Sequence, residues 1–264
     1  MAEEQKFYGQ AEFSKGLAGV IACESTMGYV DGQVGELNYR GYSIFDLGEH
    51  STFEETTYLL LFGKLPTQIE LDDFKEELAK NREIPGEVID ALRLVAKEGH
   101  PMASLRTGVS VLGAMDANAE DQSIENYTRI GISLTAKLAT IAGAIARIRK
   151  GQEPVDPDPS LDHTANFLYL MSGEVADDYT TKVMDCSLVL HADHGMNAST
   201  FSSIVVASSM SDMYSAVTAG IASLKGPLHG GANEQVMHML DEIGSEDKVD
   251  AYVDNAIASK QTIM

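Results

Sequence analysis

The sequence predicts a mostly α-helical fold of many helices, with a short β region near its N-terminal end. Three observations carry that expectation. Thr52/Glu55 and Thr67/Glu70 repeat the capping-box spacing, apolar residues recur every three or four positions across residues 134–148, and no run of strands alternates with helices. A capping box satisfies two orphan amides at a helix start. An apolar stripe at that interval is one face of a helix, and a doubly wound sheet would require the alternation that is missing.

In chain order, Gly19-Val20-Ile21-Ala22-Cys23-Glu24-Ser25, then Asp31-Gly32, then residues 35–42 combine β-branched and turn residues, which predicts a hairpin-like region. The first capping box precedes Tyr58, Leu60 and Leu61 and stops at Gly63; the second precedes Phe74 and Leu78; Lys64-Leu65-Pro66 joins the two helices. Val88, Leu92 and Val95 keep one helical face, and Leu105, Val109 and Leu112 another. Leu134, Leu138, Ile141, Ile145 and Ile148, set among alanines and glycine, describe a helix deep among neighbours. Three prolines in residues 151–160 fix φ and remove amide donors, so that stretch is a loop. Helical patterning resumes at Asp162. Met213, Val217, Ile221 and Leu224 line a helix rich in Ala216, Ala219, Gly220, Ala222 and Ser223, small enough for another helix to come close, and Gly226-Pro227 ends it.

With 264 residues and 44% hydrophobic content the chain can bury a substantial core. Cys23 and Cys186 lie far apart with no Cys-x-x-Cys spacing, which suggests reduced thiols rather than a disulfide framework or a zinc knuckle. The acidic start, Met1-Ala2-Glu3-Glu4-Gln5-Lys6, does not fit a secretory signal, so a cytoplasmic protein is expected. Lys137 and Arg147 interrupt the most apolar helix well short of the roughly 18 apolar residues of a membrane span, and no membrane association is expected. A net charge of −21, from 40 acidic and 19 basic residues, would repel nucleic-acid phosphates, so no nucleic acid is expected either. The acids are spread along the chain rather than gathered in a tail, as on a halophile's solvated surface. Molar salt shortens the Debye length to roughly 3 Å, and only local cations then matter to an anionic ligand.

Two histidine segments are the most informative for chemistry: Leu190-His191-Ala192-Asp193-His194-Gly195-Met196-Asn197 and Gly226-Pro227-Leu228-His229-Gly230-Gly231-Ala232-Asn233. If helix persists through them, His191 and His194 share a face. Such a pair beside Asp193 reads either as a packed, hydrogen-bonded structural pair or as part of a metal site. The familiar helical zinc pattern, however, spaces its histidines by four around a glutamate. Asn197, Ser199 and Thr200 can each cap the following helix. His229 precedes a helix expected to start near Ala232 or Asn233. From spacing alone it is either a turn histidine capping a helix end or a neutral imidazole that donates a hydrogen bond where an enolate develops. His238 is expected to face solvent, His50 and His163 to sit beside polar loops, and His100 to be structural. Ser110 and Ser187 have no recognisable catalytic partners, and both the Gly-x-Ser-x-Gly elbow and the Lys-Ser/Thr ending of a P-loop are missing.

These two segments resemble the first two catalytic-histidine segments of citrate synthase. The resemblance runs from Gly16-Leu17-Ala18-Gly19-Val20 through Tyr39-Arg40-Gly41-Tyr42 and His100-Pro101-Met102-Ala103-Ser104-Leu105-Arg106-Thr107 to residues 226–233. It implies a multi-helical citrate synthase-like fold and a homodimer, with residues 1–229 in a large domain and 230–264 beginning a small one. It also implies that acetyl-CoA and oxaloacetate are substrates, with no tightly bound cofactor and no metal. On that resemblance His194 would hydrogen-bond oxaloacetate, and His229 would stabilise the enol of acetyl-CoA through its carbonyl oxygen.

The family's aspartate base, a third histidine in a Gly-Phe-Gly-His-Arg-like motif and the arginines that clamp oxaloacetate are expected beyond Met264, since residues 258–264 resemble the run just before that motif. The chain is therefore expected to be a truncated, N-terminal two-thirds portion of halophilic-archaeal type, with negligible synthase activity by itself. Three alternatives stand beside it: a methylcitrate synthase using propionyl-CoA, because one methylene discriminates weakly; a non-catalytic helical dimerisation module; and metal-dependent hydrolysis through His191, Asp193, His194 and His229.

Overall fold

The computed structural model describes residues 19–263, so Gly16, Leu17 and Ala18 of the resemblance, and the acidic start of the chain, lie outside the described residues. Three short strands come first: β1 (Gly28–Asp31), β2 (Glu36–Tyr39) and β3 (Tyr42–Ser43), antiparallel in the order β1-β2-β3. The expected hairpin region is thus present, but Gly19 to Ser25 contributes no strand to it. Gly28 pairs with Tyr39 across the first hairpin, and Tyr39 pairs with Tyr42 across the second. Only Arg40 and Gly41 lie between β2 and β3, and both have positive φ, 49° and 88°. A two-residue turn with both residues left-handed matches the twist of the flanking strands. The unusual arginine conformation is anchored, because its guanidinium donates to Thr26 and to the Leu60 carbonyl oxygen.

Twelve helices follow among the described residues, beginning with α1 (Ile44–His50), α2 (Phe53–Phe62), α3 (Gln68–Lys80), α4 (Gly86–Val95), α5 (Pro101–Met115) and α6 (Ile124–Arg149). The remainder are α7 (His163–Ser172), α8 (Asp178–Leu190), α9 (Ala198–Ser208), α10 (Met213–Leu224), α11 (Gly231–Ile243) and α12 (Val249–Ser259). Both capping boxes form as read: Thr52 accepts from the Glu55 amide while Glu55 reaches back to Thr52, and Thr67 and Glu70 do the same. Gly63 then ends α2 in a left-handed conformation.

The main core joins four helices: Val88 and Leu92 of α4, Val109 and Leu112 of α5, Ile130, Leu134, Ile141 and Ile145 of α6, and Tyr214 and Ile221 of α10. Each fully buried side chain of this kind contributes about 1.5–3 kcal/mol relative to exposure. α6 is long and apolar enough to span a bilayer by length and composition, but 61% of its most apolar window is buried inside the protein, as in a core helix. Gly143 lets α7 lie directly against it, since a Cβ there would come within 2.9 Å of the Leu170 carbonyl oxygen. A second cluster ties the sheet to the helices, with Tyr39, Ile44, Leu47, Leu59, Leu60 and Val189 buried together. It connects β2 to the C-terminal end of α8, where the first histidine segment begins.

Candidate active site

The helix carrying the first histidines stops before them. α8 ends at Leu190, and His191 is its C-cap, with Nδ1 2.7 Å from the Ser187 carbonyl oxygen. Helix does not persist through His191 and His194, so the condition for a face shared by the two is not met. The chain leaves the helix between them, turns at Gly195 with φ 63° and re-enters helix at α9. His191 is tied back to its own helix, whereas His194 stands in the connecting loop, exposed. Asn197 caps α9 by accepting from the Ser199 and Thr200 amides at 2.9 and 3.0 Å. Because Asn197 supplies the cap, the Ser199 hydroxyl is free for another partner.

That partner is His229. The segment between α10 and α11 curls on itself: the His229 and Gly231 amides both donate to the Gly226 carbonyl oxygen, at 3.0 and 3.1 Å. A Cβ at Gly230 would overlap Leu224, which explains glycine at a φ any residue could adopt. The turn brings His229 Nε2 to 2.7 Å from Ser199 Oγ. With the serine proton given to Nε2, Nδ1 carries the proton and becomes the ring's free donor. His229 is half-buried and lies two residues before α11, whose amide end favours negative charge nearby.

His194 and His229, the two residues singled out from the sequence, line one cavity of about 720 Å³. Its walls are the loop from α8, the first turns of α9, the inner face of α10 and the start of α11. Asp193, Asn197, Ser199 and Asn233 add polar atoms, and Val217, Ile221 and Leu224 add apolar surface. Among the described residues, no lysine or arginine lines it. Two imidazoles with a hydroxyl and amides suit a neutral or enolising carbonyl compound. A dianion would need positive charge from elsewhere. His191 and Asp193 also reach this cavity, yet among the described residues no three His, Cys, Asp or Glu side chains converge as a metal ion requires. Metal-dependent hydrolysis through these four residues accordingly has no ligand set here.

The other histidines divide as follows. His100 is structural: Nδ1 accepts from the Met102 amide as cap of α5, and Nε2 lies 3.1 Å from Glu234 of α11. His238 and His50 have exposed side chains. His163 corrects the reading of a histidine beside a polar loop. It is 5% exposed and stacks on Phe53 with ring centroids 4.5 Å apart. Burial, with the nearby Arg82 charge, pushes its ring down to about 4 from the usual 6.5, so it is neutral. Sequence reasoning missed two contributors to the site. Ser199 was legible only as a cap candidate. Tyr39, buried in the sheet, sends its hydroxyl to the end of α8 and the α8–α9 loop across 150 to 154 residues of sequence, a separation that no local pattern reports.

A family model described as citrate synthase, C-terminal domain, matches residues 16–264. A citrate synthase of Deinococcus radiodurans is 46% identical over 254 residues, covering 96% of this chain and 67% of the relative. One from Haloferax volcanii is 45% identical over 240 residues, covering 89% of this chain and 63% of the relative. The solved citrate synthase of the thermophilic archaeon Thermoplasma acidophilum, in ternary complex with carboxymethyl coenzyme A and oxaloacetate, superposes with a TM-score of 0.90 at 32% identity over 95% of this chain and 66% of that one. The chain thus spans about two thirds of the length of these relatives. A family match over nearly every residue, carried on the same helical frame, means that this chain belongs to the citrate synthase family.

Proposed function

We propose that this protein condenses acetyl-CoA with oxaloacetate and water to give citrate and CoA. His194 hydrogen-bonds oxaloacetate, and His229 donates to the thioester carbonyl oxygen as it gains enolate charge, where a fixed donor is worth most. The observation that carries this reading is the single cavity shared by both rings, with His229 held by Ser199. Among the described residues no lysine or arginine lines the cavity, so the cationic clamp for oxaloacetate and the base for the acetyl methyl are proposed to come from elsewhere in the whole gene product. The segment alone is therefore proposed to be inactive, and the whole gene product active.

The reading extends to the assembly. Residues 1–229 belong to a large domain and 230–264 open a smaller one, in support of which only Ile243 and Ala256 are buried in α11 and α12. The active protein is proposed to be a cytoplasmic homodimer with no tightly bound cofactor; its free cysteines, Cys23 and Cys186, suit a reducing compartment. The dispersed acidic charge supports a salt-adapted, halophilic type. The test is release of free thiol from acetyl-CoA by the whole gene product. Activity that requires oxaloacetate, prefers acetyl-CoA to propionyl-CoA and collapses in His229→Ala and His194→Ala is expected. Thiol release independent of oxaloacetate, or unaffected by His229→Ala, would sink the reading, and no thiol release at all would favour a non-catalytic helical module.

A further inference from the structure

We propose that Tyr39 is a positioning residue for oxaloacetate, acting through the backbone on either side of His194. The inference rests on the assignment of His194 made above and adds to it the element that fixes the ring in place. Tyr39 is completely buried, yet its hydroxyl is placed among backbone groups of one short segment: it lies 3.1 Å from the Val189, 3.2 Å from the Leu190 and 3.1 Å from the Asp193 carbonyl oxygens. It also accepts from the Asp193 amide at 3.2 Å. One phenol therefore connects the last turn of α8 to the residue immediately before His194.

The residue after His194 is secured from the same side. The Gly195 amide donates to Asp193 Oδ2 at 3.2 Å, and that carboxylate packs on Gly28, which has no side chain and is Tyr39's partner in the β1–β2 register. Val30 of β1 lies on the same side, where its Cγ2 would meet a Cβ at Gly195 at 3.5 Å. The N-terminal sheet is thus a cradle for the loop, and the Arg40-Gly41 turn holds Tyr39 at the end of its strand. Among the described residues, the loop bearing this exposed histidine between two helix ends has no tertiary hydrogen bond other than those to Tyr39 to fix its direction. A misdirected ring would weaken oxaloacetate binding far more than acetyl-CoA binding, because His229 is fixed separately, by Ser199.

The test is Tyr39→Phe in the whole gene product, which keeps the ring in its apolar setting and removes only the hydroxyl. The expected result is an oxaloacetate KM raised about tenfold with the acetyl-CoA KM within about twofold, since a misplaced binding group costs affinity for its own substrate. Amide exchange at Asp193 should accelerate, and the His194 ring resonances should shift. Gly28→Ala, which would push on the Asp193 carboxylate from the same side, should raise the same KM. A Tyr39→Phe protein that loses thermal stability while both KM values stay put would overturn the inference, as would unchanged Asp193 exchange. If the unmodified protein shows no condensation, the functional reading fails by itself. The positioning claim then stands or falls on whether Tyr39→Phe moves the His194 ring signals.

Discussion

Ser199 Oγ lies 2.7 Å from His229 Nε2, joining the second residue of α9 to the turn between α10 and α11. If the serine donates in this bond, Nδ1 is the ring's remaining donor, and the hydroxyl is available for it because Asn197 caps α9. In the proposed reaction His229→Ala removes the enolate-stabilising donor, and kcat should fall about 100- to 1,000-fold. Ser199→Ala leaves the ring in place without its orienting partner, so a smaller loss in kcat, about tenfold, is expected. Steady-state thiol release by the whole gene product measures both. Equal kcat for Ser199→Ala and the parent would show that the serine does not orient the ring.

The cap itself makes a separate prediction. Asn197→Ala removes the acceptor for two amides at the start of α9 and should cost about 0.5–2 kcal/mol of stability. Asn197→Ser, which can still cap, should recover most of it. Because Ser199 lies in the first turn of this helix, activity of Asn197→Ala should fall together with helix stability. Thermal melts followed by circular dichroism, run beside the activity assay, check the pairing.

How much of this was legible in the sequence depends on the range of the interactions. Thr52/Glu55 and Thr67/Glu70 announced helix starts because both partners sit within one turn, and the stripe from Leu134 to Ile148 announced a core helix because its spacing is its burial pattern. His194 and His229 were found through the resemblance. Spacing alone left each with a structural reading, and a face shared by His191 and His194 depended on helix persisting through both, whereas the chain leaves the helix at Leu190. What escaped were contacts between distant segments. Tyr39 with the loop before His194, His163 stacked beneath Phe53 and His100 beside Glu234 all depend on how helices pack, which leaves no periodic trace.

Buried His163 makes the fold sensitive to acid. Its folded value of about 4 lies below the ordinary 6.5, so between those values the unfolded chain takes up a proton that the native state refuses. Stability from this group is complete above about pH 6.5, declines as the pH falls and is exhausted near pH 4, with a limiting size of roughly 3 kcal/mol. Glu54, whose carboxyl is raised by burial and which accepts the His163 amide, works in the opposite direction because its protonation relieves a buried charge. His163→Phe isolates the histidine contribution while keeping a ring against Phe53. The drop in melting temperature between about pH 7 and pH 5 should be clearly smaller in the variant than in the parent. An identical drop would mean that the ring is protonated in the folded state.

Close approach of α6 and α7 at Gly143 gives a packing prediction free of charge effects. A methyl group there would press on the Leu170 backbone, which belongs to a helix and cannot retreat without moving α7. Gly143→Ala gains helix propensity worth about 1 kcal/mol, but overpacking against backbone costs typically 1–3 kcal/mol. The net change should therefore be destabilising. At Gly131 of the same helix, where a Cβ meets nothing within 4 Å, the same substitution should stabilise. Urea unfolding of the two variants provides the comparison, and a stable Gly143→Ala protein would show that α7 can slide.

The net charge of −21 is a prediction about solvent as much as about surface. Acids gathered on helices, such as Glu70, Asp72, Asp73, Glu76 and Glu77 of α3, meet few cations: Glu70 pairs with Lys64 and Glu76 with Lys80, and both pairs are exposed and contribute little. Self-repulsion across such a surface opposes the compact state at low ionic strength, and salt screens it as the Debye length falls from about 10 Å at 0.1 M to about 3 Å at 1 M. The melting temperature should rise steeply with potassium chloride over that range and go on rising more gently above it. Replacing Asp72, Asp73 and Glu77 together with lysine should flatten the low-salt part of the curve, because it lowers the repulsion that salt has to screen. A melting temperature independent of salt in the parent protein would separate its acidity from salt adaptation. The acids would then be an ordinary solvated face, with no bearing on how an anionic substrate reaches His194.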